Sequence, residues 1–169
     1  GNLQFAGALD SDTGNNRSLA LDAGTDTITV GTVGQTDALG TLTIADAADV
    51  TFGGAVDAAS VTQTTGTGTT TVNGALTTTG NTIDLTTNSI TLNADLVSGG
   101  NIALTATEAS GSGGTGIQLN GQGLDATGSR ITLTSAAGMS QSSTAASGLV
   151  ADELLLTATE TGLTASLDG

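Results

Sequence analysis

A short polar stretch near the start of the chain, LDSDTGNN at residues 9–16, carries the oxygen-bearing side chains that a hard cation needs. Asp10, Asp12 and Asn15 surround Gly14 in a predicted turn, and Ca²⁺ prefers carboxylate and amide oxygens as ligands. The stretch lacks the second Asp-Gly step and the bidentate Glu of the Ca²⁺ loop pattern. Two interpretations stay open: a Ca²⁺ site at these three residues, or an ordinary polar turn in a chain without a cofactor.

A second set of candidate residues is a row of threonines spaced about one repeat apart. The pairs concerned are Thr27/Thr29, Asp49/Thr51, Thr69/Thr71 and Ser89/Thr91. If these residues point outward, Thr29, Thr51, Thr71 and Thr91 form a lateral row of hydroxyls that could bind ice, a glycan or a receptor. A binding module could instead hold its ligand on the inserted loop at 105–116. Asp49 interrupts the array, and threonine is also what an exposed strand prefers on propensity alone. The row is therefore either a binding face or a plain strand surface.

Catalytic residues are scarce. The nearest carboxylate pairs are Asp46/Asp49 and Asp152/Glu153, and the chain has no His, Cys, Tyr or Trp. Proton transfer by paired carboxylates needs separated pKa values, and a Ser or Thr nucleophile needs a neighbouring base. We expect that the protein is not an enzyme.

Charge excludes two classes of partner. Sixteen acidic residues face only Arg17 and Arg130, giving a formal net charge of -14. Such a field repels phosphate backbones and anionic membrane surfaces, so we expect no nucleic acid partner. No apolar run reaches the roughly 18 residues that a spanning helix needs, so we expect no direct membrane insertion.

The elements that would position these residues follow from an internal repeat. Apolar residues separated by one position recur at Ile28/Val30, Val50/Phe52, Thr70/Val72, Ile90/Leu92 and Ile117/Leu119, at intervals of 22, 20, 20 and 27 residues. A second series runs Leu19/Leu21, Leu42/Ile44, Val61/Gln63, Ile83/Leu85, Ile102/Leu104 and Ile131/Leu133, and a third supplies Val33, Val56, Leu76, Leu96, Leu124 and Leu149. The period of two within each pair predicts strands, and the constant order of the series predicts three short strands per repeat.

One turn position recurs as well. Gly31, Gly53, Asn73, Asn93 and Asn120 each follow the inward residue of a first-series pair. Glycine and asparagine tolerate the left-handed region best, so the position predicts one repeated left-handed corner. Insertions at 10–16, 105–116 and 140–148 are predicted to be exposed loops.

The predicted fold is an all-β parallel β-solenoid of about seven coils, each of roughly 20–27 residues, forming a single domain over residues 1–169. Equivalent residues of adjacent coils would lie about 4.8 Å apart. The core would be a thin column of Val, Ile and Leu, which explains why only two Phe, Phe5 and Phe52, are present.

Units such as DVTFGGAVDAASV and TVNGALTTTGNTIDLTTNSITLNADLVSGGNIALTA resemble the repeats of filamentous-haemagglutinin-type bacterial exoproteins. The resemblance extends over nearly the whole chain. It implies a right-handed β-helix, an extracellular location at the bacterial cell surface, and a role as a shaft rather than as a catalyst. The segments GNLQFAG and LTASLDG show no polar cap. We therefore expect the coils to stack end to end, on further coils of the same protein or on identical subunits.

Overall fold

The computed structural model describes residues 1–109, 115–141 and 148–159, and the regular elements in these ranges are all β-strands. The strands are β1 (Leu3–Phe5), β2 (Leu19–Asp22), β3 (Ile28–Val30), β4 (Leu39–Asp46), β5 (Val50–Phe52), β6 (Val56–Gln63), β7 (Thr69–Val72), β8 (Leu76–Thr78), β9 (Ile83–Thr87), β10 (Ser89–Leu92), β11 (Leu96–Ser98), β12 (Ile102–Ala106), β13 (Ile117–Gln118), β14 (Leu124–Ser135), β15 (Met139–Ser140) and β16 (Leu149–Ala158). Every pairing between them is parallel. The predicted β-solenoid is confirmed.

One sheet stacks one strand from each coil. Its order is β1-β3-β5-β7-β10-β13-β15, so the described chain climbs through seven coils. Each first-series residue lies beside its equivalent in the next coil, in the register Leu3, Ile28, Val50, Thr70, Ile90, Ile117 and Met139. We call this sheet face A.

The other two predicted series form two more columns. Face B carries the third series, in which Leu9, Val33, Val56, Leu76, Leu96, Leu124 and Leu149 follow one another from coil to coil. Face C carries the second series, with Leu19, Leu42, Val61, Ile83, Ile102, Ile131 and Leu154 in register. Faces B and C share one sheet because strands such as β6 run continuously from one to the other.

The core is the space between these three columns. Inward residues of the middle coils, such as Ile28, Val50 and Ile90, are completely buried. Burying one such side chain contributes about 1.5–3 kcal/mol relative to leaving it exposed. Phe5 and Phe52 both lie beside Val30, one coil below it and one above, as the repeat predicted. Each coil is thus stabilised mainly by its two neighbours.

The predicted left-handed corner is wrong at four of its five positions. Only Asn120 has a positive φ, of 45°. At the other corners the backbone continues the ladder into the turn: the amide of Gly31 donates to Phe5 O at 2.8 Å, and the amide of Asn73 donates to Phe52 O at the same distance. Coil-to-coil hydrogen bonding, not a positive φ, therefore defines this corner.

Close backbone approach explains why small residues occur beside the corner. An added Cβ on Gly74 would lie 2.1 Å from the carbonyl carbon of Gly54, one coil below. A side chain there would push two coils apart, so glycine is required by contact rather than by conformation. The later insertions at 105–116 and 140–148 lie partly outside the described residues, and the segment LTASLDG lies wholly outside them.

Candidate functional site

The lateral threonine row is the site that the fold assembles most completely. Thr29, Thr51, Thr71 and Thr91 are direct neighbours in successive strands of face A. The column extends at both ends, from Gln4 beside Thr29 to Gln118 beside Thr91 and then Ser140. The four threonines are half-buried by their neighbours in the row. In the described part of the chain their hydroxyls have no side-chain partner, unlike that of Thr41, which pairs with Ser60 at 3.0 Å.

Face A is almost free of charge. Two further columns flank the threonine row. One contains Asn2, Thr27, Asp49 and Thr69 and continues with Ser89 and Gly116, which are buried, and the other contains Gly31, Gly53, Asn73, Asn93 and Asn120. The single carboxylate is Asp49, whose Oδ1 accepts the backbone N–H of Thr69 at 2.7 Å. Ser89, predicted to point outward, is instead 4% exposed, since the N–H of Thr115 donates to its Oγ at 3.1 Å. In a chain of net charge -14, the residues named in these three columns thus include one acid.

An asparagine ladder forms the edge between face A and face B. Asn93 Nδ2 donates to Asn73 Oδ1 at 2.8 Å, and Asn120 Nδ2 donates to Asn93 Oδ1 at 2.9 Å. Each rung spans one coil, since the three residues are equivalent corner positions. The ladder gives the recurring asparagines a function that their conformational preference does not explain.

The predicted Ca²⁺ residues make contacts within the protein. Arg17 binds both oxygens of Asp12, with Nε to Oδ1 at 2.8 Å and Nη2 to Oδ2 at 3.1 Å. Asn15 turns its Nδ2 toward Asp12 Oδ2 at 3.0 Å, and Asp10 Oδ1 accepts the N–H of Thr36 at 3.0 Å. The Arg17 guanidinium lowers the pKa of Asp12, and the pKa of Arg17 is raised in turn. A cation at this turn would have to displace Arg17, and the Ca²⁺ site stays a prediction.

Several other polar side chains at corners accept hydrogen bonds from the next coil. Asp95 Oδ1 accepts the N–H of Gly123 at 2.7 Å, and Asn101 Oδ1 accepts the N–H of Arg130 at 3.0 Å. The carboxylate pairs considered for catalysis make similar contacts. Asp46 accepts the hydroxyl of Thr65 at 3.1 Å, and Glu153 forms an ion pair with Arg130 at 2.8 Å. These acids connect coils to one another, which accounts for their scattered positions in the sequence.

Asp84 is a carboxylate whose surroundings reduce its hydration. It lies in the outward column of face C between Thr62 and Ala103, and it is half-buried. Partial burial raises its pKa, because a carboxylate loses hydration between close neighbours. The described residues contain no group of three or more His, Cys, Asp or Glu side chains placed to hold a metal ion.

No protein-family profile, characterised protein or solved structure matches the chain. Within the part of the chain that the structure describes, no helix is long and apolar enough to cross a membrane. The case for function therefore depends on the geometry of the solenoid itself.

Proposed function

We propose that the chain is a segment of the shaft of a secreted bacterial surface exoprotein, in which coils stack end to end. The observation that carries this proposal is the first coil. Its inward residues Leu3, Phe5, Leu9 and Leu19 are only half-buried, whereas their equivalents one coil higher, Ile28, Val30, Val33 and Leu42, are completely buried. Within the described residues, a further coil placed on the first coil would cover these four side chains.

The backbone of β1 supports the same proposal. The N–H of Leu3 donates to Thr27 O at 2.9 Å, and Phe5 O accepts the N–H of Gly31 at 2.8 Å, so both residues bond to the second coil. In a parallel ladder, alternate residues bond to opposite neighbours. The N–H and C=O of Gln4 therefore face the free edge, where they could pair with another strand.

The covering coil has two possible sources: further coils of the same polypeptide, or an identical subunit. Both extend the apolar columns along one axis and give a rod whose length grows by about 4.8 Å per coil. The resemblance to filamentous-haemagglutinin-type exoproteins supports the extracellular shaft in either case.

Electron microscopy with an edge variant tests the proposal. Gln4→Pro removes the N–H that faces the free edge and leaves the bonds to the second coil in place, and proline is tolerated on edge strands. Gln4→Thr is the matched control. We expect rods that lengthen with protein concentration, or with added flanking sequence, for the native chain and for Gln4→Thr, and shorter rods for Gln4→Pro. Short particles of one length for the native chain under both conditions would contradict the proposal.

A second candidate function is ligand binding on face A. It is favoured by the continuous row of Thr29, Thr51, Thr71 and Thr91, whose hydroxyls have no side-chain partner among the residues that the structure describes. Thermal hysteresis tests for ice, and a glycan array tests for sugars. Loss of a signal in Thr71→Val, with no loss in Thr77→Val on face B, would locate the ligand on this row.

A further inference from the structure

We propose that the Asn73–Gly74 step of the asparagine ladder is a site of spontaneous deamidation. The chain contains two Asn-Gly steps, Asn73–Gly74 and Asn120–Gly121, and both asparagines belong to the ladder. Glycine has no Cβ, so its nitrogen can approach the preceding side chain without steric hindrance. The hydrogen bonds of the ladder make the two steps unequal. This inference goes beyond the shaft, because it concerns covalent chemistry at one edge of the solenoid.

The reaction needs only the chain and water. The backbone nitrogen of Gly74 attacks Cγ of Asn73 and forms a new C–N bond, while an electron pair of the C=O bond moves to Oδ1. The C=O bond then re-forms as the Cγ–Nδ2 bond breaks, and the amine leaves as ammonia with the proton lost from the Gly74 nitrogen. Water opens the resulting cyclic imide at either carbonyl, which gives an aspartate or an isoaspartate.

The direction of the ladder prepares Asn73 for this attack. Asn93 Nδ2 donates to Asn73 Oδ1 at 2.8 Å, so a donor already faces the oxygen on which negative charge develops. A preorganised donor at such an oxygen lowers the barrier to addition at the carbonyl carbon. Among the described residues Asn73 Nδ2 has no hydrogen-bond partner, so the leaving group breaks no contact when it departs.

The peptide group between Asn73 and Gly74 is not held by hydrogen bonds. Within the ranges that the structure describes, neither the C=O of Asn73 nor the N–H of Gly74 has a partner. The attacking nitrogen therefore gives up no bond when it approaches Cγ. The Asn73 side chain is exposed, so water can reach the imide that forms there.

The Asn120–Gly121 step has the opposite arrangement. Asn120 Nδ2, the leaving group, donates to Asn93 Oδ1 at 2.9 Å, and no described residue donates to the Asn120 carboxamide oxygen. The step is the centre of a tight turn, which the N–H of Gln122 closes by donating to Leu119 O at 2.8 Å. Its two residues have φ values of 45° and 86°, both positive as in a type I′ turn. This turn restrains the Gly121 nitrogen, so the step should react more slowly.

The ladder also distinguishes the two products. Asn73→Asp keeps an oxygen that accepts Asn93 Nδ2, and a charged acceptor strengthens that hydrogen bond. Asn120→Asp has no side-chain N–H to donate and places its carboxylate against Asn93 Oδ1, so the upper rung is lost. Deamidation at the base of the ladder is thus compatible with the contacts between coils, whereas deamidation at the top is not.

Incubation of the folded chain at mildly alkaline pH tests the proposal. Pepsin digestion at low pH then separates the two steps, and mass spectrometry measures the conversion of amide to carboxyl at each. We expect deamidation at Asn73 to be several-fold faster than at Asn120 in the folded chain, and the two rates to become similar in urea. No deamidation at Asn73, equal rates at the two steps of the folded chain, or a faster reaction at Asn120 would overturn the inference.

Variants of Asn93 test the activating hydrogen bond. Asn93→Asp removes the donor to Asn73 and keeps the acceptor for Asn120, so it should slow deamidation at Asn73 several-fold and leave the rate at Asn120 unchanged. Asn93→Ala also removes the donor but adds no charge, and it should slow the reaction at Asn73 to the same extent. Melting curves check that both variants are folded. An unchanged or higher rate at Asn73 in both variants would contradict the proposed role of Asn93.

Melting temperatures of the two aspartate variants give a second readout. Asn73→Asp should keep the native melting temperature, and Asn120→Asp should lower it. Equal melting temperatures for these two variants would contradict the argument from the products. None of these measurements depends on end-to-end stacking, so the result is independent of the shaft proposal.

Discussion

Thr70 and Gln63 form a hydrogen bond inside the apolar core: Thr70 Oγ1 donates to Gln63 Oε1 at 2.6 Å, and the two residues are 0% and 1% exposed. Their column neighbours are apolar, with Ile44 and Leu85 on either side of Gln63 and Val50 and Ile90 on either side of Thr70. Removing one member of such a buried polar pair lowers the free energy of unfolding, whereas replacing both members with apolar residues changes it little.

The first prediction concerns this pair. Gln63→Leu and Thr70→Val should each lower the free energy of unfolding by about 1–3 kcal/mol, because each leaves one buried polar group without a partner. The double variant should recover most of that loss, since it completes two apolar columns. Urea denaturation of the four proteins measures the cycle. Additive losses in the double variant would show that the pair does not act as a unit.

The second prediction concerns the asparagine ladder. Asn93→Ala removes both rungs, whereas Asn73→Ala removes one. At about 0.5–1.5 kcal/mol per hydrogen bond, the change at Asn93 should cost roughly twice as much as the change at Asn73. Asn93→Asp, which can accept from Asn120 but cannot donate to Asn73, should fall between native and Asn93→Ala. Equal melting temperatures for all of these variants would rule out a stabilising ladder.

The third prediction concerns pH. Burial raises the pKa of Asp84 in the folded state, so the folded chain binds more protons than the unfolded chain between the two pKa values. Ionisation of Asp84 therefore destabilises the folded state. This destabilisation grows as pH rises through the window and shrinks as pH is lowered. Asp84→Asn should raise the melting temperature at neutral pH and flatten its dependence on pH in the acidic range. Asp152→Asn, the same change at an exposed position of β16, is the matched control variant.

The fourth prediction compares two equivalent phenylalanines. Phe52→Ala should cost about 3–5 kcal/mol, because Phe52 is completely buried and the change leaves a cavity. Phe5→Ala should cost less in the isolated chain, since Phe5 is only half-buried. If coils stack on the first coil, Phe5→Ala should also shorten the rods seen by electron microscopy. Rods of native length in this variant would mean that the Phe5 side chain contributes nothing to stacking.

The sequence was sufficient to predict the strands and their register from coil to coil, but not the conformation of the corners. Apolar residues two apart, recurring at intervals near 20, placed Ile28, Val50 and Ile90 in one column, and the structure confirms that register. Thr70 and Gln63 were assigned inward positions by the same spacing. The hydrogen bond between them was not predicted, because it joins side chains from two different faces of the solenoid.

Side-chain partners between coils were harder to predict than strands. Asn73, Asn93 and Asn120 recur at equivalent positions of the sequence. Because asparagine tolerates a positive φ, this recurrence predicts a left-handed corner. Since equivalent residues of adjacent coils are direct neighbours, the same recurrence could have indicated a ladder. Likewise, the acceptor role of Asp95 depends on how the chain turns before Gly123, which loop length alone does not specify.

The orientation of the coil repeat relative to the long axis of the particle tests the shaft proposal most directly. We expect electron diffraction or cryo-electron microscopy of the assembled protein to show a repeat of about 4.8 Å along the long axis of the particle, because the coils stack in that direction. A repeat of this size perpendicular to the long axis, or compact particles without a rod, would contradict the claim that the solenoid is a shaft segment.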